Sequence, residues 1–194
     1  MANKAYKFRI YPNTEQQILF AKTFGCVRFV YNRMLADKIK YYEETGKKLN
    51  NTPAQYKKEF EWLKEVDSLA LANAQLHLQT AYKNFFRDSS VGFPKFKSKK
   101  NPVRSYTTNC VNGNISVENG YIKLPKVGFV KLKQHRQVLF DYKLKSVTVS
   151  QTPSGKYYAS VLFEYENQVQ EKEPHNFLGL DFSMHELYLS LIHI

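Results

Sequence analysis

Asp181 is the residue with the clearest chemical use. It closes an apolar run, Phe177-Leu178-Gly179-Leu180-Asp181, that reads as a buried strand delivering one carboxylate at its end. Such a carboxylate can hold a divalent cation. In-line phosphodiester cleavage uses two cations about 3.5–4 Å apart, and several carboxylates must neutralise and hold them. Asp181 alone cannot do this, and an aspartate at a strand end equally serves a turn. Glu186 is a poor second ligand, because on a continuing strand its odd separation from Asp181 puts it on the opposite face.

A second chemistry is attraction to polyanions. The chain has 194 residues, a formal net charge of +12 and 15% aromatic residues. Lysine and arginine gain by releasing counterions from phosphates, and rings among them suit base stacking. The segment 92–104, GFPKFKSKKNPVR, carries Lys95, Lys97, Lys99, Lys100 and Arg104 with no acid, and in 123–145 the only acid is Asp141. A third candidate is the stretch from Asp67 to Asn73, where small and amide side chains open a helix that could enter a groove. Asparagine can bond adenine bidentately, and apolar groups can touch thymine methyls. Helix propensity alone favours an ordinary capped bundle helix there.

Cys26 and Cys110 have no CxxC partner, read as buried thiols of a cytoplasmic protein, and build no zinc site with the five histidines. No run approaches the roughly 18 apolar residues of a membrane span.

The elements that must position these residues begin with an alternating strand over 4–11, with Tyr6, Phe8 and Ile10 on one face and Lys7, Arg9 and Tyr11 on the other. Asn13 or Thr14 can cap the next helix, and Thr14 with Gln17 has capping-box spacing; the helix runs to about Glu44, where Gly46 stops it, with Ile18, Ala21, Phe24, Arg28, Tyr31, Leu35 and Ile39 as its stripe. Gly25 inside it allows a close contact or a break. Thr52-Pro53 with Gln55 starts a second, short helix. Asp67 or Ser68 caps a third that ends near Arg87, with Leu71, Leu78, Tyr82 and Phe85 inward and Asn73, Gln75, Gln79 and Lys83 outward. Past Gly92 the chain becomes β-rich. Asn119-Gly120 is a type I′ hairpin signal, Gly128 to Lys133 is a strand, and Leu144 to Val149 turns at Pro153-Ser154-Gly155 and returns as Tyr157 to Tyr165. Short strands with tight turns predict a small β-barrel, with residues 4–11 as an extra member and the helices inserted after it.

Eight blocks resemble the TnpB (OrfB) family in order and spacing: KAYKFRIYPNTEQQ (4–17), FGCVRFVYN (24–32), EFEWLKEVDSLAL (59–71), AYKNFFR (81–87), GFPKFKSKK (92–100), NGYIKLPKVGFVK (119–131), KSVTVSQTPSGKYYASVLFE (145–164) and GLDFS (179–183). The resemblance implies an α+β protein. Residues 1–12 would be the first strand of a wedge-like barrel, 13–91 a helical recognition domain with a helix-turn-helix, 92–166 the rest of the barrel and 167–176 a linker. Residues 177–188 would begin an RNase H-like (RuvC) nuclease domain. Residues 189–194, LSLIHI, match a translated sequencing adapter and are expected to be foreign to the fold, the alternative being a natural apolar strand continuing Leu187-Tyr188.

The resemblance further implies an insertion-sequence protein that binds a guide RNA and cleaves DNA beside a short transposon-adjacent motif. The motif-reading positions would be Asn51, Gln55, Ser68, Leu69, Ala72, Asn73, Val111 and Asn112. Phosphate contacts are expected from Lys7, Arg9, Arg28, Lys95, Lys97, Lys99, Lys100, Lys131 and Lys133. Asp181 matches the first nuclease carboxylate and metal ligand, although Ser183 stands where the family usually has glycine. Mg²⁺ at the nuclease centre and Zn²⁺ in a later ribbon are implied for a longer protein. This length of chain is expected to carry no cofactor and to bind nucleic acid without cutting it. Two other readings stay open from the residues alone: a helix-turn-helix DNA-binding regulator without nuclease activity, and a ribosomal or RNA-chaperone-like protein.

Overall fold

The computed structural model describes residues 2–136, 138 and 142–166, and the backbone of 178–181 and 189–193. Its first element is β1 (Ala2–Tyr11), whose alternation is the expected one: Tyr6, Phe8 and Ile10 are buried while Lys7 and Tyr11 are exposed. A helical segment follows before the chain returns to the sheet. It holds α1 (Thr14–Thr45), α2 (Pro53–Glu59), a 3-10 turn (Glu61–Lys64), α3 (Ser68–Arg87) and a second 3-10 turn (Ser89–Val91). Then come β2 (Arg104–Asn109), β3 (Ser116–Glu118), β4 (Tyr121–Leu124), β5 (Gly128–Lys133), β6 (Lys143–Gln151) and β7 (Tyr157–Tyr165).

Local chemistry sets the helix ends. Asn13 caps α1, accepting from Gln16 N at 2.8 Å while Gln16 Oε1 accepts from Asn13 N at 3.1 Å. The expected box of Thr14 and Gln17 is thus displaced by one residue. Gly46 stops the helix in the left-handed region, φ 66°, where glycine meets no Cβ penalty. Thr52 with Gln55 forms the expected box at α2, and Asp67 caps α3.

The inward stripe of α1 differs from the expected one. Phe20, Phe24, Val27, Val30, Tyr31, Met34 and Leu35 are buried, whereas Ile18 is 55% exposed. Phe20 meets Tyr157 at 5.7 Å and Phe24 meets Tyr106 at 5.7 Å, so rings from the sheet select the face. Gly25 neither breaks the helix nor allows a close approach, since a Cβ there meets nothing within 4 Å.

The seven strands form one antiparallel sheet in the order β2-β6-β7-β1-β5-β4-β3. β1 pairs with β7 along Ala2 to Ile10 and with β5 along Arg9 to Tyr11. The first strand is therefore an inner member of the sheet, and the helices are inserted after it. Phe8, Ile122, Val130, Val147 and Val161 are fully buried in the core shared with α1 and α3. Truncating Phe8 to alanine removes transfer free energy and leaves a cavity, a cost of about 3–5 kcal/mol. The sheet is a curled half-barrel and not a closed barrel. One edge, β2, is packed by α1 and α3, and the other, β3, has only three residues with which a closing ladder could form.

β8 (Leu178–Asp181) and β9 (Leu189–His193) pair antiparallel in a separate two-stranded sheet. The expected strand into Asp181 is present. Residues 189–193, expected to be foreign to the fold, pair with it. Two strands do not define an RNase H-like domain. The linker 167–176, Phe177 and residues 182–188 lie outside the described residues.

Candidate nucleic-acid interface

The outer face of the sheet is built by the residues that alternate with the core. Register places Arg9 opposite both Tyr158 and Lys133, and Tyr11 opposite Lys131, which in turn lies opposite Tyr121. Lys7 sits opposite Ser160, and Lys123 opposite Phe129. Directly paired positions share a face, so these side chains form one basic and aromatic surface. Lys7 Nζ lies 4.9 Å from the Tyr158 ring centroid, and the Arg9 guanidinium lies 5.4 Å from both Tyr11 and Tyr158. Tyr11, Tyr121 and Phe129 are 47%, 45% and 59% exposed.

Among the described residues no carboxylate lies within ion-pair distance of Lys7, Arg9, Lys131 or Lys133. Arg9 Nε is buried with no hydrogen-bond partner among them. That Nε is closed to solvent, so an anion would meet this guanidinium through its terminal N–H groups.

The segment 92–104 forms a second basic surface, held against α1 by one side chain. Asn32 Nδ2 donates to Lys97 O at 2.9 Å, and Lys97 N donates to Asn32 Oδ1 at 2.8 Å. This two-point clamp copies a strand pairing and sets Lys97 Nζ 4.3 Å from the Tyr31 ring. Lys95, Lys99 and Lys100 remain exposed beside Phe93 and Phe96. Arg28 is half-buried on α1, one turn before the Asn32 that clamps Lys97.

The expected motif-reading residues divide by burial. Ser68 is exposed and accepts from Lys57 Nζ at 2.7 Å, and Leu69 and Ala72 are half-buried at the start of α3. Gln55 is exposed, with Oε1 accepting from Thr52 N. Val111 and Asn112 are exposed on the turn after β2.

Asn51 is buried at the foot of α2, where its Nδ2 donates to the Tyr56 hydroxyl at 2.7 Å. That hydroxyl donates to Asp37 at 2.6 Å, and burial first, then this bond, push its pKa above the usual tyrosine range. Asn73, expected on the outward face, is 7% exposed, and its Nδ2 donates to Leu69 O at 2.9 Å. A bidentate contact to adenine needs both amide atoms. In this conformation Asn73 has already committed one of them within its own helix.

Sequence reasoning missed β2 and with it a contact that joins the end of β2 to the start of α3. The Thr108 hydroxyl donates to Asp67 Oδ2, while Asp67 Oδ1 accepts from Leu69 N at 3.0 Å. Both residues are buried. Thr107 and Thr108 gave no apolar alternation to mark a strand. The clamp by Asn32 had no local signal at all.

The two cysteines are unpaired thiols, Cys26 buried and Cys110 half-buried. Burial, with the charge of Glu65 adding to it, pushes Cys26 up to about 11. Asp181 ends β8, and its side chain lies outside the described residues. Among the described residues no three His, Cys, Asp or Glu side chains come together as a metal site, and no helix is long and apolar enough to cross a membrane.

A family model described as a helix-turn-helix domain, HTH_OrfB_IS605, matches residues 1–47. In the structure this segment is β1 and the single unbroken helix α1. Over 192 residues the chain is 33% identical to the Escherichia coli (strain K12) protein named "Putative RNA-guided DNA endonuclease InsQ", a match covering 95% of this chain and 46% of that protein. A Streptomyces pristinaespiralis protein named "Putative RNA-guided DNA endonuclease" is 32% identical over 171 residues, 83% of this chain and 41% of its own length. "Virulence protein VsdF" of Salmonella dublin is 36% identical over 111 residues, 50% of this chain and 93% of that protein. The chain thus spans less than half the length of the two relatives named as endonucleases.

Proposed function

The chain belongs to the OrfB (TnpB) family, and on that premise we propose that it is the nucleic-acid-binding portion of an RNA-guided, metal-dependent DNA endonuclease. It holds a guide RNA and duplex DNA mainly through phosphates and reads a short motif beside the target. The observation that carries this reading is the outer face of the sheet, where Lys7, Arg9, Lys131 and Lys133 lie among exposed rings with no carboxylate partner among the described residues. Cations placed this way gain by displacing counterions from a polyanion. The basic segment 92–104 extends the phosphate-binding area.

Motif reading falls to the start of α3 and the turn after β2, with Ser68, Leu69, Ala72, Val111 and Asn112 as the base-facing positions and Gln55 beside them. Asn51 and Asn73 support this surface from beneath, as their burial indicates.

The described residues do not build a centre for either implied metal. Asp181 is therefore assigned as one Mg²⁺ ligand of a larger set, with no cleavage step derived from it, and Zn²⁺ belongs to a further domain. The test uses a chain extended to the length of the endonuclease relatives, supplied with a guide RNA and Mg²⁺. Guided cleavage is expected, and Asp181→Ala abolishes it while RNA and DNA binding persist. Cleavage indifferent to that substitution contradicts the assignment.

A further inference from the structure

The reading surface is assembled from two pieces of chain. Thr108 and Asp67 are 41 residues apart in sequence, yet they share one buried hydrogen bond. Asp67 is the cap of α3 and immediately precedes Ser68 and Leu69. Thr108 is near the end of β2, which runs directly into the turn bearing Val111 and Asn112. We propose that the Asp67–Thr108 pair is a positioning device for specificity: it fixes the start of α3 against the 110–114 turn so that both present one rigid surface to the bases. This inference rests on the reading that these two pieces face duplex DNA.

The geometry leaves little other freedom in either piece. Asn114 closes the turn, its Oδ1 accepting from Val111 N at 2.8 Å and its Nδ2 donating to Asn109 O at 3.2 Å. Cys110 N donates to Lys145 O at 2.8 Å, which ties the root of the turn to β6. Asn112 and Gly113 hold left-handed φ angles of 52° and 70°. The turn therefore moves as a unit with β2.

On the other side, the carboxylate of Asp67 is divided between two tasks. One oxygen caps α3 through Leu69 N, and the other receives the Thr108 hydroxyl. A shift of the turn is thus transmitted to the first residues of α3 through one side chain. Hydrogen bonds to base edges weaken steeply outside about 2.7–3.2 Å and below about 120°. A small slip between the two pieces is felt as lost discrimination. Phosphate contacts tolerate the same slip, because long lysine side chains re-aim.

The pair also separates cleanly by mutation. Thr108→Val keeps the shape and the α3 cap but removes the hydroxyl, and Thr108→Ser keeps the hydroxyl. The 194-residue chain and its variants are passed over a pool of randomised duplex DNA, and the enriched sequences are read. Affinity for one non-motif duplex and a thermal melt are measured alongside. The expected result is a motif in the unsubstituted chain and about tenfold weaker discrimination in Thr108→Val. Non-motif affinity and its salt slope stay unchanged, and Thr108→Ser restores the motif.

An unchanged motif in folded Thr108→Val, while Asn112→Gly alters it, overturns the inference and leaves the reading surface standing. No motif in the unsubstituted chain overturns the reading surface and the inference together. A lowered melting temperature with an unchanged motif marks the pair as structural only and also overturns the inference. Where Thr108→Val does not fold, Asp67→Ser makes the same comparison, because serine keeps one oxygen for the α3 cap and has none left for Thr108: a broadened motif supports the pair and an unchanged one overturns it.

Discussion

The start of α3 with the 110–114 turn and the outer face of the sheet are both polar surfaces, but they are held in opposite ways. In the first, the polar groups are bonded to protein: Ser68 to Lys57, Asp67 to Leu69 and Thr108, and Asn114 to both sides of its turn. In the second, Lys7 and Arg9 rest on rings, and Lys7, Arg9, Lys131 and Lys133 have no carboxylate partner among the described residues. A surface fixed by its own hydrogen bonds presents a shape, which suits discrimination. A surface of long unpaired cations presents charge, which suits affinity without regard to sequence. The difference implies a division of labour that substitution can break.

The largest effect is expected on the sheet. Replacing Lys7, Arg9, Lys131 and Lys133 together with serine should weaken RNA and DNA binding on the order of a hundredfold near 100 mM salt and flatten the log–log salt slope by about 3–4. Motif preference should not change, and filter binding across salt concentrations measures both quantities.

Next is the turn. Asn112→Gly removes the side chain without straining the left-handed backbone and should cost about 1–3 kcal/mol of discrimination at one base. Binding to a non-motif duplex should stay as it was. A loss shared by all sequences would show that the turn contributes affinity, and the division would fail.

A smaller effect is expected from Asn32→Ala, which frees the 95–100 segment. Binding must then order that segment, at about 0.5–1.5 kcal/mol per immobilised side chain, so affinity should fall roughly two- to tenfold for every sequence. Faster hydrogen exchange at the Lys97 amide checks the cause.

The smallest is Asn73→Ala. It removes one buried hydrogen bond within α3, worth about 1 kcal/mol of stability, and should leave the enriched motif intact. A changed motif would return Asn73 to the base-reading set.

Asn73 also shows where sequence reasoning stops. Its type and place in a helix suit a base contact, but burial depends on which face β2 and α1 cover. The same limit applies to α1, where Ile18, Leu19 and Phe20 offer apolar groups on adjoining faces and Tyr106 with Tyr157 selects Phe20.

What was legible rested on local chemistry. Asn119 and Gly120 take φ of 49° and 77°, the paired positive angles of the expected type I′ turn between β3 and β4. Gly46 stops α1 for a similarly local reason. β2 was hidden because its buried Thr108 is polar and its partner, Asp67, is distant in the chain. Barrel closure failed as an expectation because alternation marks strands but does not count the hydrogen bonds between the first and last of them. The charged outer face was half legible: Lys7 and Arg9 followed from alternation, but their rings from β4, β5 and β7 followed only from register.

The claim that ties these observations together is that unpaired cations on this chain bind phosphates. Its most direct test is the affinity of the 194-residue chain for structured RNA and for duplex DNA between 50 and 200 mM salt. With about six phosphates contacted, affinity should fall on the order of a thousandfold over that range for both ligands. An affinity that stays flat across the titration would contradict the account.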